Sequence, residues 1–352
     1  MNNTQNLLMK IKSGNSSWSE LAEFLELDEN DLEPFLNVAQ KITQEKFGNR
    51  LKIFNPSKKF PAISITGSEC SLECEHCNKK YLTGMTQILE KIDLENFLMD
   101  LSKNNGVGAL ISGGSDFDGS VPLLNFLDVI KKVKNKTNLI INTHTGLLNE
   151  ETARKLAAAQ VDIVSFDINM DSEIVKNIYH LDVELGEYRR AIELLKKYKL
   201  NVVPHICAGL YYGKLHKELD SIKFIKDINL KPSLIVLIVL NPPKNSKVKF
   251  ETPKPSDIAK VIATLRFVFP DTEISLGCMR PRGTIKTKVE KFAVKAGITR
   301  IEIPSKDTLI WLKEVNPKIE YQFYSACCAI PEKYENLARS KDSDIKRYLN
   351  IL

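Results

Sequence analysis

Cysteine is scarce in this chain. Seven occur among 352 residues, an odd number and too few for the disulfide framework of a small secreted domain. Long apolar runs are missing as well. None reaches the roughly 18 residues of a membrane-crossing helix, and the longest candidate, Leu234 to Leu240, has the length of a buried strand. The opening MNNTQNLLMKIK has neither an apolar core nor a small-residue cleavage site. No secretory signal is expected from it, and the expected location is the cytoplasm. Charge of one sign is not concentrated: the net charge is +6, with acids and bases interleaved. No basic aromatic patch stands out, so neither nucleic acid nor a membrane is an expected partner. Solenoid-period repeats and low-complexity segments are also absent. What remains is 43% hydrophobic and 27% charged, an ordinary globular composition long enough for a large core or two domains.

Residues 1–54 read as a helical extension. Ser17-Trp18-Ser19-Glu20 fits a capping box, and Trp18, Leu21, Phe24 and Leu25 then recur at helical spacing. A second helix runs from near Asp31 to Gly48, with Pro34 in its first turn, where a missing N–H is tolerated. Short β-type runs follow: AISIT (62–66), GALIS (108–112), NLIIN (138–142), DIVSFD (162–167), NVVPHI (201–206), SLIVLIVL (233–240), EISLG (273–277) and ITRIEI (298–303). Amphipathic stretches such as VPLLNFLDVIKKV and EYRRAIELLKKY separate them. Continuous apolar strands alternating with helices predict parallel βα units buried on both faces. Eight units predict an α/β fold, a (β/α)8 TIM-type barrel over residues 55–316, closed or nearly so, with its site residues just past the strand C-terminal ends. A doubly wound open sheet is the alternative, but no glycine fingerprint follows the first strand. Residues 317–352 form a C-terminal tail.

The scarce cysteines are clustered. CSLECEHC, residues 70–77, places Cys70, Cys74 and Cys77 in one loop directly after the first strand. Zinc fingers usually supply cysteines as pairs with a distant second pair. Three thiolates suit a [4Fe–4S] cube instead, holding three irons and leaving the fourth open. A zinc site completed by His76 or Glu75, in a scaffold without catalysis, is the alternative.

This C-x3-C-x2-C pattern after the first strand of a βα barrel resembles the radical S-adenosylmethionine (SAM) superfamily, over most of residues 55–305. The resemblance implies a cluster whose open iron chelates SAM, an electron donor such as ferredoxin, and a 5′-deoxyadenosyl radical that abstracts a substrate hydrogen. It also implies site residues. His76 stands where the family usually has an aromatic residue near the adenine. Ser112-Gly113-Gly114-Ser115 resembles the Gly-Gly-Glu motif whose backbone meets the SAM amino group. Ser115 replaces the glutamate there, and Asp116 or Asp118 is the expected compensation. Asn142 and His144 end the third strand. Ser165, Asp167 and Asn169 end the fourth, where the family binds the ribose and carboxylate of SAM, and Asp167 is the first choice. PHICAGLYYG (204–213) resembles the fifth-strand motif whose backbone touches adenine.

Four cysteines lie elsewhere. Cys207, in or beside the fifth strand, reads as a small buried hydrophobe. Cys278 follows the seventh strand in LGCMRPRG, and Cys327 and Cys328 are adjacent in the tail, in YSACCAIP. A vicinal pair is strained as a mutual disulfide, whereas adjacent thiolates can take different irons of one cluster. Cys278, Cys327 and Cys328 are therefore expected to hold a second [4Fe–4S] cluster, with the tail folded over the barrel mouth and Ser325 or Cys207 as the fourth ligand. Arg280 and Arg282 flank Pro281, and guanidinium groups at a barrel mouth suit a carboxylate or other substrate anion. Loop-to-loop salt bridges are the other reading. FPAISITGSECSLECEHCNKKYLTGM and LGCMRPRG together resemble archaeal biotin synthase-like proteins that include the two-component lipoyl synthases. That resemblance implies sulfur insertion into a protein-bound octanoyl chain, an octanoylated lipoyl carrier protein or peptide as partner, and a sister radical SAM subunit. Other radical SAM chemistry, whether biotin synthase-like, mutase or dehydrogenase, with the second cluster relaying electrons, stays open.

Overall fold

The computed structural model describes residues 3–343 and 345, apart from 245 and 247; the end of the 317–352 tail lies outside the described residues. Three helices come first: α1 (Asn3–Lys12), α2 (Trp18–Leu25) and α3 (Glu33–Phe47). The capping box is present, the Glu20 N–H donating to Ser17 Oγ at 3.3 Å and the Ser17 N–H to Glu20 Oε2 at 2.8 Å. Phe24 of α2 and Phe35 of α3 meet with ring centres 5.2 Å apart, and both helices pack against the helix Pro255–Val268.

Among the described residues eleven strands form one sheet: β1 (Arg50–Phe54), β2 (Ala62–Ser64), β3 (Thr86–Gln87), β4 (Gly108–Ser112), β5 (Ile140–His144), β6 (Ile163–Asp167), β7 (Val202–Ala208), β8 (Leu234–Val239), β9 (Glu273–Leu276), β10 (Arg300–Glu302) and β11 (Glu320–Tyr324). Their order is β11-β1-β10-β9-β8-β7-β6-β5-β4-β2-β3, and every pairing is parallel. The eight expected strands are β2 and β4 to β10, in chain order. Among the described residues no pairing joins β3 to β11, so the barrel is partial rather than closed. No helix among them is long and apolar enough to cross a membrane.

Two boundaries differ from the sequence expectation. The helical extension ends at Phe47, and Arg50–Phe54 enters the sheet between β10 and β11. Its alternating basic residues hid it: Lys52 is buried by an ion network that no local pattern announces. The tail, too, does not fold over the barrel mouth. After β11 it runs into the barrel, where Ala326, Cys328, Ala329 and Ile330 pack against Ile140, Ile163, Val203 and Leu234 near the starts of β5 to β8. Small apolar side chains fit that tapering interior, and they plug the end opposite the mouth. The vicinal cysteines stay level with the strand C-terminal ends, where Cys328 meets Glu302 of β10, and Ile330 lies deeper, at Arg300.

Candidate active site

A cavity of about 410 Å³ opens at the C-terminal ends of the strands. Cys70, Cys74 and Cys77 line it from the loop after β2, and Cys278, Cys327 and Cys328 line it as well. Both groups of thiols thus face one space. The first loop is built by turns: the Cys77 and Asn78 N–H groups donate to the Cys74 carbonyl at 3.1 and 2.9 Å. The Cys74 thiol lies 3.5 Å from the Tyr179 carbonyl. Burial, then the neighbouring Cys77 and Cys70, pushes the Cys74 thiol up to about 12, and burial raises Cys77 also. Crowded thiols of this kind become thiolates when a metal's positive charge arrives. Glu75 is not directed at them; His180 at 3.1 Å and Ser246 at 3.3 Å occupy its carboxylate. All seven cysteines are free thiols.

The glycines after β4 hold this loop. A Cβ on Gly114 would fall 2.0 Å from the Glu69 carbonyl and 2.5 Å from Cys70 Cβ. Its N–H donates to Thr66 Oγ1 at 2.7 Å. Gly113 lines the cavity with Ser112 and Ser115, and Ser112 Oγ reaches the His144 carbonyl at 3.4 Å. Asp116 and Asp118 are exposed and do not line the cavity; Asp118 is occupied by the Ser120 N–H and hydroxyl at 2.9 and 2.6 Å.

The ends of β5 to β7 supply a polar wall. Ser165 Oγ donates to Asn142 Oδ1 at 3.0 Å, leaving Asn142 Nδ2 buried without a partner. Asn169 Nδ2 and His76 Nδ1 are likewise buried and unpartnered. These orphans lie on residues lining the cavity, and a buried unsatisfied donor is costly unless a ligand takes it. Asp167 is 55% accessible, with that surface turned to the cavity rather than to bulk solvent. Burial alone would raise its carboxyl. His144 (Nδ1 to Oδ2 3.5 Å), His205 and His76 outweigh that and hold it below its ordinary value. Three of the five histidines thus surround one carboxylate. His76 is kept neutral, burial lowering it to about 4, and its ring centre is 5.3 Å from that of Tyr179. The loop after β7 is fastened by Glu218, which accepts from the Gly209 and His216 N–H groups at 2.9 and 2.8 Å.

At the cavity floor, Glu302 joins Cys327 and Cys328. Their ligand atoms all lie within 4.8 Å of one another, and the Cys328 N–H donates to Glu302 Oε2 at 3.2 Å. Cys278 sits beside them, its exposed surface turned to the same cavity: loss of bulk water, then Glu302 and Cys327, raises its thiol. Glu302 escaped the sequence reading because nothing local marks the last residue of a short strand. The expected fourth ligands are elsewhere. Ser325 Oγ pairs with Ser340 Oγ at 2.9 Å and does not line the cavity. Cys207 lines it near Asp167 and Glu218. Arg280 is also a correction. It is buried, and its donors are spent on Glu290 (2.6 and 3.1 Å) and on the carbonyls of Gly277, Glu302 and Ile303 (2.6, 2.7 and 3.0 Å). It clamps the Cys278 loop to the end of β10 and offers a substrate anion nothing. Arg282 is exposed and does not line the cavity.

Residues 64–238 match the family model described as the Radical SAM superfamily. The biotin synthase of Clostridioides difficile is 23% identical over 270 residues, 73% of this chain and 79% of that protein. The biotin synthase of Methanococcus vannielii is 24% identical over 283 residues, 75% and 79% of the two chains. Methylornithine synthase superimposes with a TM-score of 0.62 at 17% identity, over 98% of this chain and 95% of that one. HydG, a maturase of the [FeFe]-hydrogenase, superimposes with a TM-score of 0.66 at 19% identity, over 85% and 67%. The two structural likenesses bear on the fold alone.

Proposed function

The chain belongs to the radical SAM superfamily and is a distant relative of biotin synthases, and from that premise we propose that it inserts sulfur into a protein-bound octanoyl chain as one component of a lipoyl synthase. The observation that carries this reading is the pair of thiol groups on one cavity, Cys70, Cys74 and Cys77 at the mouth and Cys278, Cys327 and Cys328 at the floor. The first set would hold the SAM-cleaving [4Fe–4S] cluster and the second a further cluster serving as the sulfur source. When bound, the first cluster and SAM supply a carbon radical that can take hydrogen from an unactivated C–H bond, which no side chain is basic enough to deprotonate.

The chain's own residues do the rest. Asp167 offers acceptor oxygens for hydroxyl or ammonium groups of SAM, and Asn142 Nδ2 offers a donor. Gly113 leaves room for close approach, and His76 presents a flat neutral ring. Leu110, Leu147, Leu181, Ile206 and Ile238 line the same cavity; they exclude water and suit an alkyl chain. The relatives are named for making biotin, a sulfur-bearing molecule, which favours sulfur chemistry here. The net charge of +6 suits an acidic carrier protein.

The test is mass spectrometry of an octanoylated carrier peptide after anaerobic incubation with reconstituted protein, SAM and reductant. One sulfur is expected from this protein alone, and two when its sister subunit is added. No sulfur gain while SAM is cleaved, with and without the sister, would assign another radical SAM reaction.

A further inference from the structure

The floor of the cavity holds an acidic residue for which the reading above has no use. Glu302 is 4% exposed, and no ion pair is made to its carboxylate among the described residues. The nearest guanidinium, that of Arg280, is committed to Glu290 and takes only the backbone carbonyl of Glu302. The groups around the Glu302 carboxylate are thiols and one amide: Cys328 with its N–H, Cys327, and Cys278 on the facing loop. A buried carboxylate without a cation either keeps its proton or takes on a positive charge that joins it. A metal centre bound by the adjoining thiols supplies that charge.

We propose that Glu302 is a metal ligand, completing with Cys278, Cys327 and Cys328 a three-thiolate, one-carboxylate set for a thiophilic metal centre. The proposal rests on the second centre named above and identifies its missing ligand. Geometry supports it. Donor atoms that serve one metal centre, whether a single ion or a small cluster, must lie side by side in the fold. The Glu302, Cys327 and Cys328 donors already fall within 4.8 Å of each other, before Cys278 is counted. They come from three parts of the chain, namely the end of β10, the loop after β9 and the tail. Only the folded protein brings them together, and the Arg280 clamp fixes two of the three. The competing ligands lie elsewhere, Ser325 on Ser340 and Cys207 beside Asp167. Chemistry gives the carboxylate a role distinct from a fourth thiolate. A hard oxygen ligand on a soft metal is the weakest of the set, so its position is the one from which another ligand can enter.

The experiment isolates this centre in the full chain by replacing Cys70, Cys74 and Cys77 with alanine. That background is reconstituted anaerobically with iron and sulfide, and separately with zinc. Metal content, absorbance and electron paramagnetic resonance are then read with and without Glu302→Gln or Glu302→Cys. The background is expected to hold about four irons as one cube. Glu302→Gln should lose that iron to a chelator about tenfold faster, with a changed resonance spectrum. Glu302→Cys, a thiolate in the same place, should restore retention, which separates ligation from a general folding defect. One zinc in place of iron, lost in Glu302→Gln, would uphold the ligand set and overturn the cluster. A background that binds neither metal would overturn the second centre altogether. A background that holds metal, with Glu302→Gln matching it in retention and spectrum, would overturn Glu302 alone.

Discussion

The backbone N–H of Ser115 points at the sulfur of Cys70 across 3.2 Å. One hydrogen bond thus ties the loop after β4 to the loop that carries the first three cysteines. The Ser71 N–H donates back to the Ser115 carbonyl at 2.7 Å, so the two loops hold each other in register. The pair of bonds fixes where the Cys70 sulfur sits in its loop.

Gly114 is where this contact is most exposed to substitution. An added Cβ would sit 2.0 Å from the Glu69 carbonyl, and backbone cannot step aside as a flexible side chain can. Gly114→Ala should push the cysteine loop outward and misplace Cys70. A displacement near 1 Å at a reacting centre costs about 10²-fold. Production of 5′-deoxyadenosine is expected to fall by that order, with the first cluster retained poorly. Wild-type cleavage and iron content would show that the loop adapts.

Much of this could be read before the fold was known. The eight barrel strands announce themselves because each is a continuous apolar run followed by an amphipathic helix, and both periods are local. The cysteine triplet is visible because its spacing lies within a single loop. Three features are not local. Arg280 looks like an anion site in LGCMRPRG, but its partner Glu290 lies one helix further on. Glu302 is an ordinary strand residue until the tail brings Cys327 and Cys328 to it. Lys52 makes β1 look exposed, and only Glu273 and Glu335, remote in sequence, explain its burial.

His205 gives the fold a pH dependence. Its Nδ1 is engaged by the Val203 carbonyl at 3.0 Å, and burial, then the neighbouring His144, lowers it from 6.5 to about 4. The folded chain therefore keeps it neutral while the unfolded chain protonates it below about pH 6.5. Its contribution is complete above that pH and is lost as pH falls toward 4. The loss from this residue between pH 7 and pH 5 is about 2 kcal/mol. Anaerobic urea unfolding at the two pH values should show His205→Gln losing less stability than wild type by that amount. Equal losses would mean that His205 is solvated in the folded state.

The tail is fastened by charge as well as by packing. Glu335 accepts from Lys52 Nζ at 2.7 Å, from Arg300 Nη2 at 2.6 Å and from the Tyr324 hydroxyl at 3.0 Å. Glu273 on β9 meets the same two cations, so two carboxylates balance Lys52 and Arg300 in the interior. Arg300 also donates to the Ile330 carbonyl, two residues beyond Cys328. Replacing one member of a buried charge network leaves the others uncompensated and costs about 3–5 kcal/mol. In Glu335→Gln that cost falls on the docking of the tail, because β1, β9 and β10 are held by the rest of the sheet. Limited proteolysis should then cut beyond residue 316, where wild type is protected. Iron should fall by about the four atoms of one cube, since Cys327 and Cys328 leave the cavity floor. SAM cleavage at Cys70, Cys74 and Cys77 should persist. A variant that keeps its protease protection and its full iron content would show that small apolar side chains alone seat the plug.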